Sequence, residues 1–425
     1  MLRRRGVWLE WLILCLILLL ALSLRFYRLD GQSLWADEGN SAALALRSLS
    51  TITRDAAHDI HPPLYYYLLH VWVRLWGHGE IALRSLSALA GSMLVCATFL
   101  LGKELFHRRV AYIAAFVAAI SPFQVYYSQE TRMYILVALW SALAALFFVR
   151  WTKSWTQPGN TARRHAILSA LLYTCFTTAA LYTHYFAFAV PLVTNLAYGL
   201  GMIAFPALRQ FRRIAAWTTA QLVIVALYSP WLCLAGGQLT TWPAVSEPFS
   251  LSFLSKELLR IFSLGLSVQS STTGVVLAFG LLLLLGALPF VLLRAGRKKA
   301  VLPRLVQRPE LEALLFTLLY LCVPVLAMYL LSLSRPAYDP KFLLLATPAF
   351  HLLLARGAGG EWLALEDKDR ARTAARWAIA AVLGTFVVGG SAVSLRNYYY
   401  DERYARDDYR GIARYISARG KRATR

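Results

Sequence analysis

The sequence predicts an all-α polytopic membrane protein, and three observations carry that prediction. Apolar runs of about 18 or more residues, the length a helix needs to cross a bilayer, recur along the chain. A mean hydropathy of +0.51 and 58% hydrophobic residues are too apolar for a water-soluble chain of 425 residues. The Lys and Arg behind a formal net charge of +22 sit in short clusters between the apolar runs. Clusters so placed orient helices by the positive-inside rule and argue against a nucleic-acid-binding face.

The expected spans are 7–24, 81–101, 110–122, 133–150, 166–183, 185–205, 214–234, 274–293, 311–332, 341–356 and 377–396, about eleven transmembrane helices in all. Arg3-Arg4-Arg5 precede the first run, which is longer than a signal-peptide core, and Arg25-Phe26-Tyr27-Arg28 is a poor cleavage site. The first span is therefore read as retained, with the N-terminus in the cytoplasm. Alternation then places 102–109, 150–165, 206–213, 294–310 and 357–376 inside, and these segments hold far more Lys and Arg than the outward loops.

Pro63 to Gly77 is apolar but too short to span. It is rich in Tyr and Trp and contains His70 and Arg74. An interfacial helix on the outer face fits that composition, which makes 25–80 one large extracytoplasmic loop folded against the membrane. Residues 1–396 then form the transmembrane domain, and 397–425 a short outer tail, whose distal part is too short for a domain of its own and is expected to be loosely held. The five cysteines all lie in apolar segments without a Cys-x-x-Cys pair, so disulfide and zinc readings are weak.

Charged residues at the membrane face are expensive and point to function. Asp37-Glu38 follow the first span; a carboxylate pair there suits a general base or a cation site, and a helix cap opening 39–49 is the structural alternative. His58-Asp59-Ile60-His61-Pro62-Pro63-Leu64 ends at a helix start, where a histidine beside the N-terminus suits a phosphate; a metal held by Asp59 and the histidines is the alternative. Arg84 opens the second span, with Ala88 and Gly91 leaving a helix face open to close packing; it either snorkels or clamps an anionic head group.

In Tyr126-Tyr127-Ser128-Gln129-Glu130-Thr131-Arg132-Met133-Tyr134, a continuous helix would put Tyr126, Glu130 and Tyr134 on one face. Glu130 and Arg132, two apart, would then each need a partner elsewhere. His184 lies in a very short outward turn and suits phosphate donation, or a cation shared with Asp59 or Glu130. Lys341 opens the tenth span from outside, where snorkelling and a lipid phosphate compete. Carboxylates and aromatic planes suit sugars, and cations at bilayer depth suit a lipid-linked phosphate. No Gly-rich nucleotide-phosphate loop occurs.

The order of these motifs resembles the GT-C superfamily of polytopic glycosyltransferases, in the branch of the protein O-mannosyltransferases and the lipid A aminoarabinose transferase. The resemblance runs over about 25–235 and rests on Asp37-Glu38, His61-Pro62-Pro63-Leu64-Tyr65-Tyr66, Arg84-Ser85-Leu86-Ser87-Ala88, Ser121-Pro122, Ser128 to Tyr134, Thr183-His184-Tyr185 and Pro230-Trp231. It implies an inverting transfer from a polyprenyl-phosphate sugar to a lipid, glycan or protein hydroxyl on the outer face of the plasma membrane. It also implies that Asp37 is the base, with Glu38 orienting it. His61, Arg84, Glu130, Arg132, Tyr134, His184 and Lys341 are the candidates for donor-phosphate and substrate contact, with a divalent metal at Asp59, Glu130 and His184 left open. The chain departs from relatives in having His61 where a lysine precedes Pro-Pro-Leu, Ile60 where an acidic residue stands, and Lys341-Phe342 in place of Arg-Tyr. Asp407 to Ile416 resembles the opening of a C-terminal outer domain. The rival readings are a flippase of lipid-linked sugar, which would place charges within spans and show repeated halves, and a polymerase or ligase of lipid-linked glycan.

Overall fold

A computed structural model of the chain describes residues 2–155, 159–204, 206–237, 249–268, 273–289, 309–334, 338–359 and 370–423. All regular secondary structure among them is helical. In chain order the helices are α1 (Leu2–Phe26), α2 (Ala36–Ala45), α3 (Leu49–Ala57), α4 (Leu64–Trp76), α5 (Glu80–Leu105), α6 (Arg108–Ile120), α7 (Pro122–Ser128), α8 (Tyr134–Ser154) and α9 (Asn160–Leu181). They continue with α10 (Ala189–Ala204), α11 (Phe211–Ala235), α12 (Leu251–Leu264), α13 (Thr273–Ala287), α14 (Pro309–Ser334), α15 (Thr347–Gly359), α16 (Arg370–Tyr400) and α17 (Tyr409–Ala423).

Among the described residues, eight helices are long and apolar enough to cross a membrane, and the bent pair α6–α7 makes up to nine. The chain is a multi-pass membrane protein. The expected count of eleven is not confirmed. The expected span 166–183 falls on α9, which opens with Arg163, Arg164 and His165 and is long enough but not apolar enough. The expected span 274–293 falls on α13, whose 15 residues rise about 22 Å against a hydrocarbon core of about 30 Å; residues 290–308 lie outside the described chain. The segment 63–77 is, as expected, a short helix: α4 has 13 residues and stops at Gly77, whose φ of +85° only glycine adopts readily.

The spans differ in their surroundings. Within the span Pro340–Gly359, 94% of the apolar window is buried inside the protein, whereas α1 and α11 bury 22% and 28% and turn leucines outward. The former is enclosed by its neighbours, and the latter two present the apolar surface that lipid would cover.

The bend between α6 and α7, 56°, has a readable cause. Pro122 has no N–H to donate to the carbonyl four residues back, and Ser121 caps the new helix by accepting from the Gln124 N–H at 3.4 Å. The released carbonyls of Ala118 and Ala119 are taken by the fully buried Arg25 guanidinium at 3.1 and 3.0 Å. In return, the Gln129 side-chain amide donates to the carbonyls of Arg25 and Tyr27 at 2.9 and 2.8 Å, closing the end of α1. Gly91 lets α5 approach this junction: a Cβ there would lie 2.0 Å from Ser128 Oγ and 2.9 Å from Arg25 Nε.

One local expectation fails here. The helix expected over 39–49 is instead α2 and α3, divided where the Ser48 hydroxyl accepts from the Thr51 N–H and starts a new helix. Tyr399 packs edge-on against Tyr27 and Tyr398 packs at a tilt against Tyr126, each at 5.2 Å between ring centres, which ties the end of α16 to α1 and α7. Beyond it Arg406 pairs with Glu38 and Glu130 and Arg410 with Glu80, so the near part of the tail is held to the first loop.

Candidate active site

α2 opens at Ala36 after Trp35, so Asp37 and Glu38 occupy its first turn and neither is the N-cap residue itself. Glu38 takes the capping part, accepting from the Trp35 N–H at 3.4 Å. The two carboxylates then diverge. Glu38 is fully buried, and Asp37 leaves 36% of its side chain exposed.

Glu38 is held on both oxygens. Arg84 donates from Nε to Oε1 at 2.9 Å and from Nη2 to Oε2 at 2.7 Å, the planar fork-to-fork geometry that arginine suits. The Thr131 N–H adds 2.8 Å to Oε1 and Arg406 Nη1 adds 2.9 Å to Oε2. Burial raises the Glu38 pKa, but the hydrogen bonds of Arg84 and the charges of Arg406 and Arg84 outweigh it and hold the carboxyl below its ordinary range. The remaining Arg84 donors go to the carbonyls of Leu29, Gln32 and Ser33 at 2.7–2.9 Å. Arg84 is thus committed to the protein and does not face a head group, and Glu38 faces Arg84 and not Asp37.

The segment 129–133 breaks the continuous helix expected through Tyr126, Glu130 and Tyr134, since α7 stops at Ser128 and α8 starts at Tyr134. The break lets Glu130 and Arg132 turn to different partners. Glu130 Oε1 accepts from Arg406 Nη2 at 2.9 Å, and burial pushes its carboxyl up to about 7 in spite of that cation. Arg132 turns toward α2. Its Nη1 donates to the Asp37 carbonyl at 3.3 Å and to Ser41 Oγ at 3.2 Å, and its Nη2 lies 3.5 Å from Asp37 Oδ2 and donates to the Tyr134 hydroxyl at 3.3 Å. Burial disfavours the Arg132 charge, but Tyr134, Tyr66 and Asp37 more than offset it, so its pKa is raised.

Tyr134 gathers the other candidates. The Arg132 guanidinium and the Lys341 ammonium lie 5.7 and 5.3 Å from the centre of its ring. Lys341 starts from a turn in which Asp339 accepts its N–H at 3.1 Å, and its Nζ lies 2.8 Å from Asp339 Oδ2. The His184 ring is 5.8 Å from Tyr134 and 5.5 Å from His61. The two histidine turns are joined through the Leu64 N–H, which donates to the Tyr182 carbonyl at 3.0 Å, so the Pro-Pro turn and the 182–185 turn are fixed side by side. Burial, with the cations Arg132 and Lys341 nearby, holds both imidazoles neutral; the Asp59 carboxylate opposes this at His61, whose pKa falls to about 4.

The metal donors proposed from the sequence do not assemble. Among the described residues no three His, Cys, Asp or Glu side chains converge, Glu130 is paired with Arg406, and Asp59 points its oxygen 3.8 Å from His61 Nδ1. A cavity of about 220 Å³ lies between the first loop and the tail, lined by Arg28, Gln32, Arg84, Gln129, Tyr398 and Arg406 among others. Its lining includes neither Asp37 nor Lys341.

Sequence reasoning missed Arg406. It lies 276 residues from Glu130 and 368 from Glu38, in a tail whose alternating charges gave no reason to single it out. The Thr131 amide and Ser41 were missed because a backbone donor and a small hydroxyl carry no motif.

Residues 60–234 match the family described as Dolichyl-phosphate-mannose-protein mannosyltransferase. Solved structures of similar fold include ArnT from Cupriavidus metallidurans in the apo state, with a TM-score of 0.57 and 15% identity over 92% of this chain and 77% of that one. This chain shares the fold of that structure, and 60–234 is similar to that mannosyltransferase family. Other structures of similar fold are the same ArnT bound to undecaprenyl phosphate (TM-score 0.54, 15% identity, 91% and 75% covered) and the archaeal oligosaccharyltransferase AglB from Archaeoglobus fulgidus with an inhibitory peptide and a dolichol-phosphate (0.59, 16%, 94% and 56%). The chain thus spans about half the length of the archaeal oligosaccharyltransferase. No curated protein matches by sequence. At these identities what is shared with the solved structures is the fold.

Proposed function

We propose that this chain transfers a sugar from a polyprenyl-phosphate donor to an acceptor hydroxyl, with inversion at the anomeric carbon, on the outer face of the plasma membrane. The observation that carries the reading is the arrangement at Asp37. A half-exposed carboxylate lies 3.5 Å from a buried arginine, which shares the Tyr134 ring with Lys341. That pairs a base open to an acceptor with two cations set for a phosphate. Support for the donor class comes from the undecaprenyl phosphate and dolichol-phosphate bound in structures of the same fold.

In the proposed step the acceptor oxygen attacks the anomeric carbon as its proton passes to Asp37. The bond from that carbon to the phosphate oxygen breaks, and polyprenyl phosphate leaves with the bonding pair. Its growing charge is stabilised by Arg132 and Lys341, already cationic in the resting site, while the neutral His61 and His184 add polar surface without opposing charge. Glu38 and Arg84 take no part in bond making; they hold the first loop so that Asp37 stays at the site.

The test is Asp37→Asn in the full chain, reconstituted with labelled polyprenyl-phosphate sugars and assayed for release of polyprenyl phosphate. Loss of on the order of 10²- to 10⁴-fold in rate is expected for a general base, with an unchanged unfolding temperature because Asp37 is half exposed. A near wild-type rate in folded protein refutes the base. Donor crossing a vesicle membrane without release of polyprenyl phosphate would favour the flippase reading instead.

A further inference from the structure

We propose that Arg406, from the tail beyond the last span, is a positioning residue of the active site: it clasps Glu38 and Glu130 together and thereby sets Arg132 against Asp37. The inference rests on the transfer reading for its catalytic half alone.

The geometry is specific. The Arg406 side chain is 8% exposed, and its two terminal nitrogens each donate at 2.9 Å, one to Glu38 and one to Glu130. Its guanidinium also lies 4.9 Å from the centre of the Tyr126 ring. Glu38 retains Arg84, but Glu130 depends on Arg406. Among the described residues Arg406 is the one hydrogen-bond donor to the Glu130 carboxylate, whose other oxygen is buried without a partner. A buried carboxylate stripped of its cation is strongly unfavourable, so the pairing is not incidental.

What the clasp fixes lies next to it in sequence. Glu130 is held directly, and Thr131 is held through its N–H on Glu38 Oε1. Arg132, the next residue, is the one that reaches Asp37 and Ser41. Arg406 therefore pins two consecutive residues immediately before Arg132. A planar fork can bridge two carboxylates at once, which a lysine ammonium does less well.

Removing the Arg406 charge need not detach the tail, because other anchors remain. The Arg410 N–H donates to Ser33 Oγ at 2.9 Å, the Arg410 guanidinium pairs with Glu80, and Tyr399 packs on Tyr27. Arg406→Gln thus probes the clasp without removing the segment that carries it.

The full chain in lipid nanodiscs is first tested by thermal unfolding, which needs no activity. Glu130→Gln should lower Tm in the wild-type background and fail to lower it further in Arg406→Gln, where the buried carboxylate has lost its cation. Equal losses in both backgrounds overturn the clasp. In the transfer assay Arg406→Gln should lower kcat by about 10- to 100-fold, as misplaced catalytic groups do, with a much smaller change in donor KM. Guanidinium ion should restore part of kcat to Arg406→Ala, and Arg406→Lys should recover less than the wild-type rate. A wild-type kcat in Arg406→Gln, with the tail still protected from hydrogen exchange, overturns the positioning role. If the wild-type chain transfers nothing from any polyprenyl-phosphate sugar, the transfer reading and the catalytic half fall together, and the unfolding comparison still decides the clasp.

Discussion

Arg84→Ala separates a structural arginine from a phosphate ligand. The wild-type side chain is 3% exposed beside a Glu38 that is 0% exposed, and it makes two bonds to the carboxylate and three to loop carbonyls. Breaking a buried ion pair by deleting one partner costs about 3–5 kcal/mol. Arg406 and the Thr131 amide still hold Glu38, which lowers that figure, whereas the carbonyls of Leu29, Gln32 and Ser33 lose their donor at ~1 kcal/mol each. The two corrections roughly offset, leaving a loss of about 4 kcal/mol, a large part of a typical stability of about 5–15 kcal/mol. Thermal unfolding in nanodiscs, followed by tryptophan fluorescence, should show Tm lowered by about 4–5 °C. Arg84→Lys should fall between, because the charge survives and the fork does not. An Arg84→Ala protein with wild-type Tm and a selectively raised donor KM would refute this reasoning and return Arg84 to the phosphate.

Three further outcomes are expected. Lys341→Gln should raise donor KM roughly 10-fold, the worth of one charge-assisted hydrogen bond, and leave Tm nearly unchanged because Lys341 is partly exposed and its ion pair is with a partly exposed Asp339; an unchanged KM would remove Lys341 from the donor site. The folded-state pKa of His61, about 4 against an ordinary 6.5, means that the unfolded chain binds the extra proton between those values. Its contribution is complete above pH 6.5 and lost as pH falls toward 4, by ~3 kcal/mol in all, so the stability difference between wild type and His61→Gln should drift across that window; a constant difference would show that His61 is not held neutral by burial. Gly91→Ala places a Cβ 2.0 Å from Ser128 Oγ and should destabilise by about 1–3 kcal/mol, with partial recovery in Gly91→Ala/Ser128→Ala; wild-type Tm in Gly91→Ala would deny the close approach.

Much of the site was legible in the sequence because lipid makes charge conspicuous. A carboxylate, histidine or arginine at the end of an apolar run has few inexpensive positions, so Asp37, His61, Arg132, His184 and Lys341 stand out without any knowledge of distances. One element was also legible locally: Pro63 and Gly77 bound a short helix. The 56° bend at Ser121-Pro122 falls inside the end of the expected span 110–122 and had not been expected.

The sequence alone determined that this is a helical multi-pass membrane protein, which motifs lie between its spans, and that their order resembles the GT-C superfamily. Those properties depend on hydrophobic length and on residue type at close spacing, and both are local. The tertiary structure decided how the charges are shared. Two adjacent carboxylates look equivalent in sequence, yet one turn of helix sends Glu38 into a buried clasp and leaves Asp37 half exposed. Arg84 looked like a head-group ligand until five acceptors from the first loop closed around it. Arg406 had no local signal at all. A buried cation is placed by the carboxylates that compensate it, and here they come from 276 and 368 residues away, where only folding could bring them together.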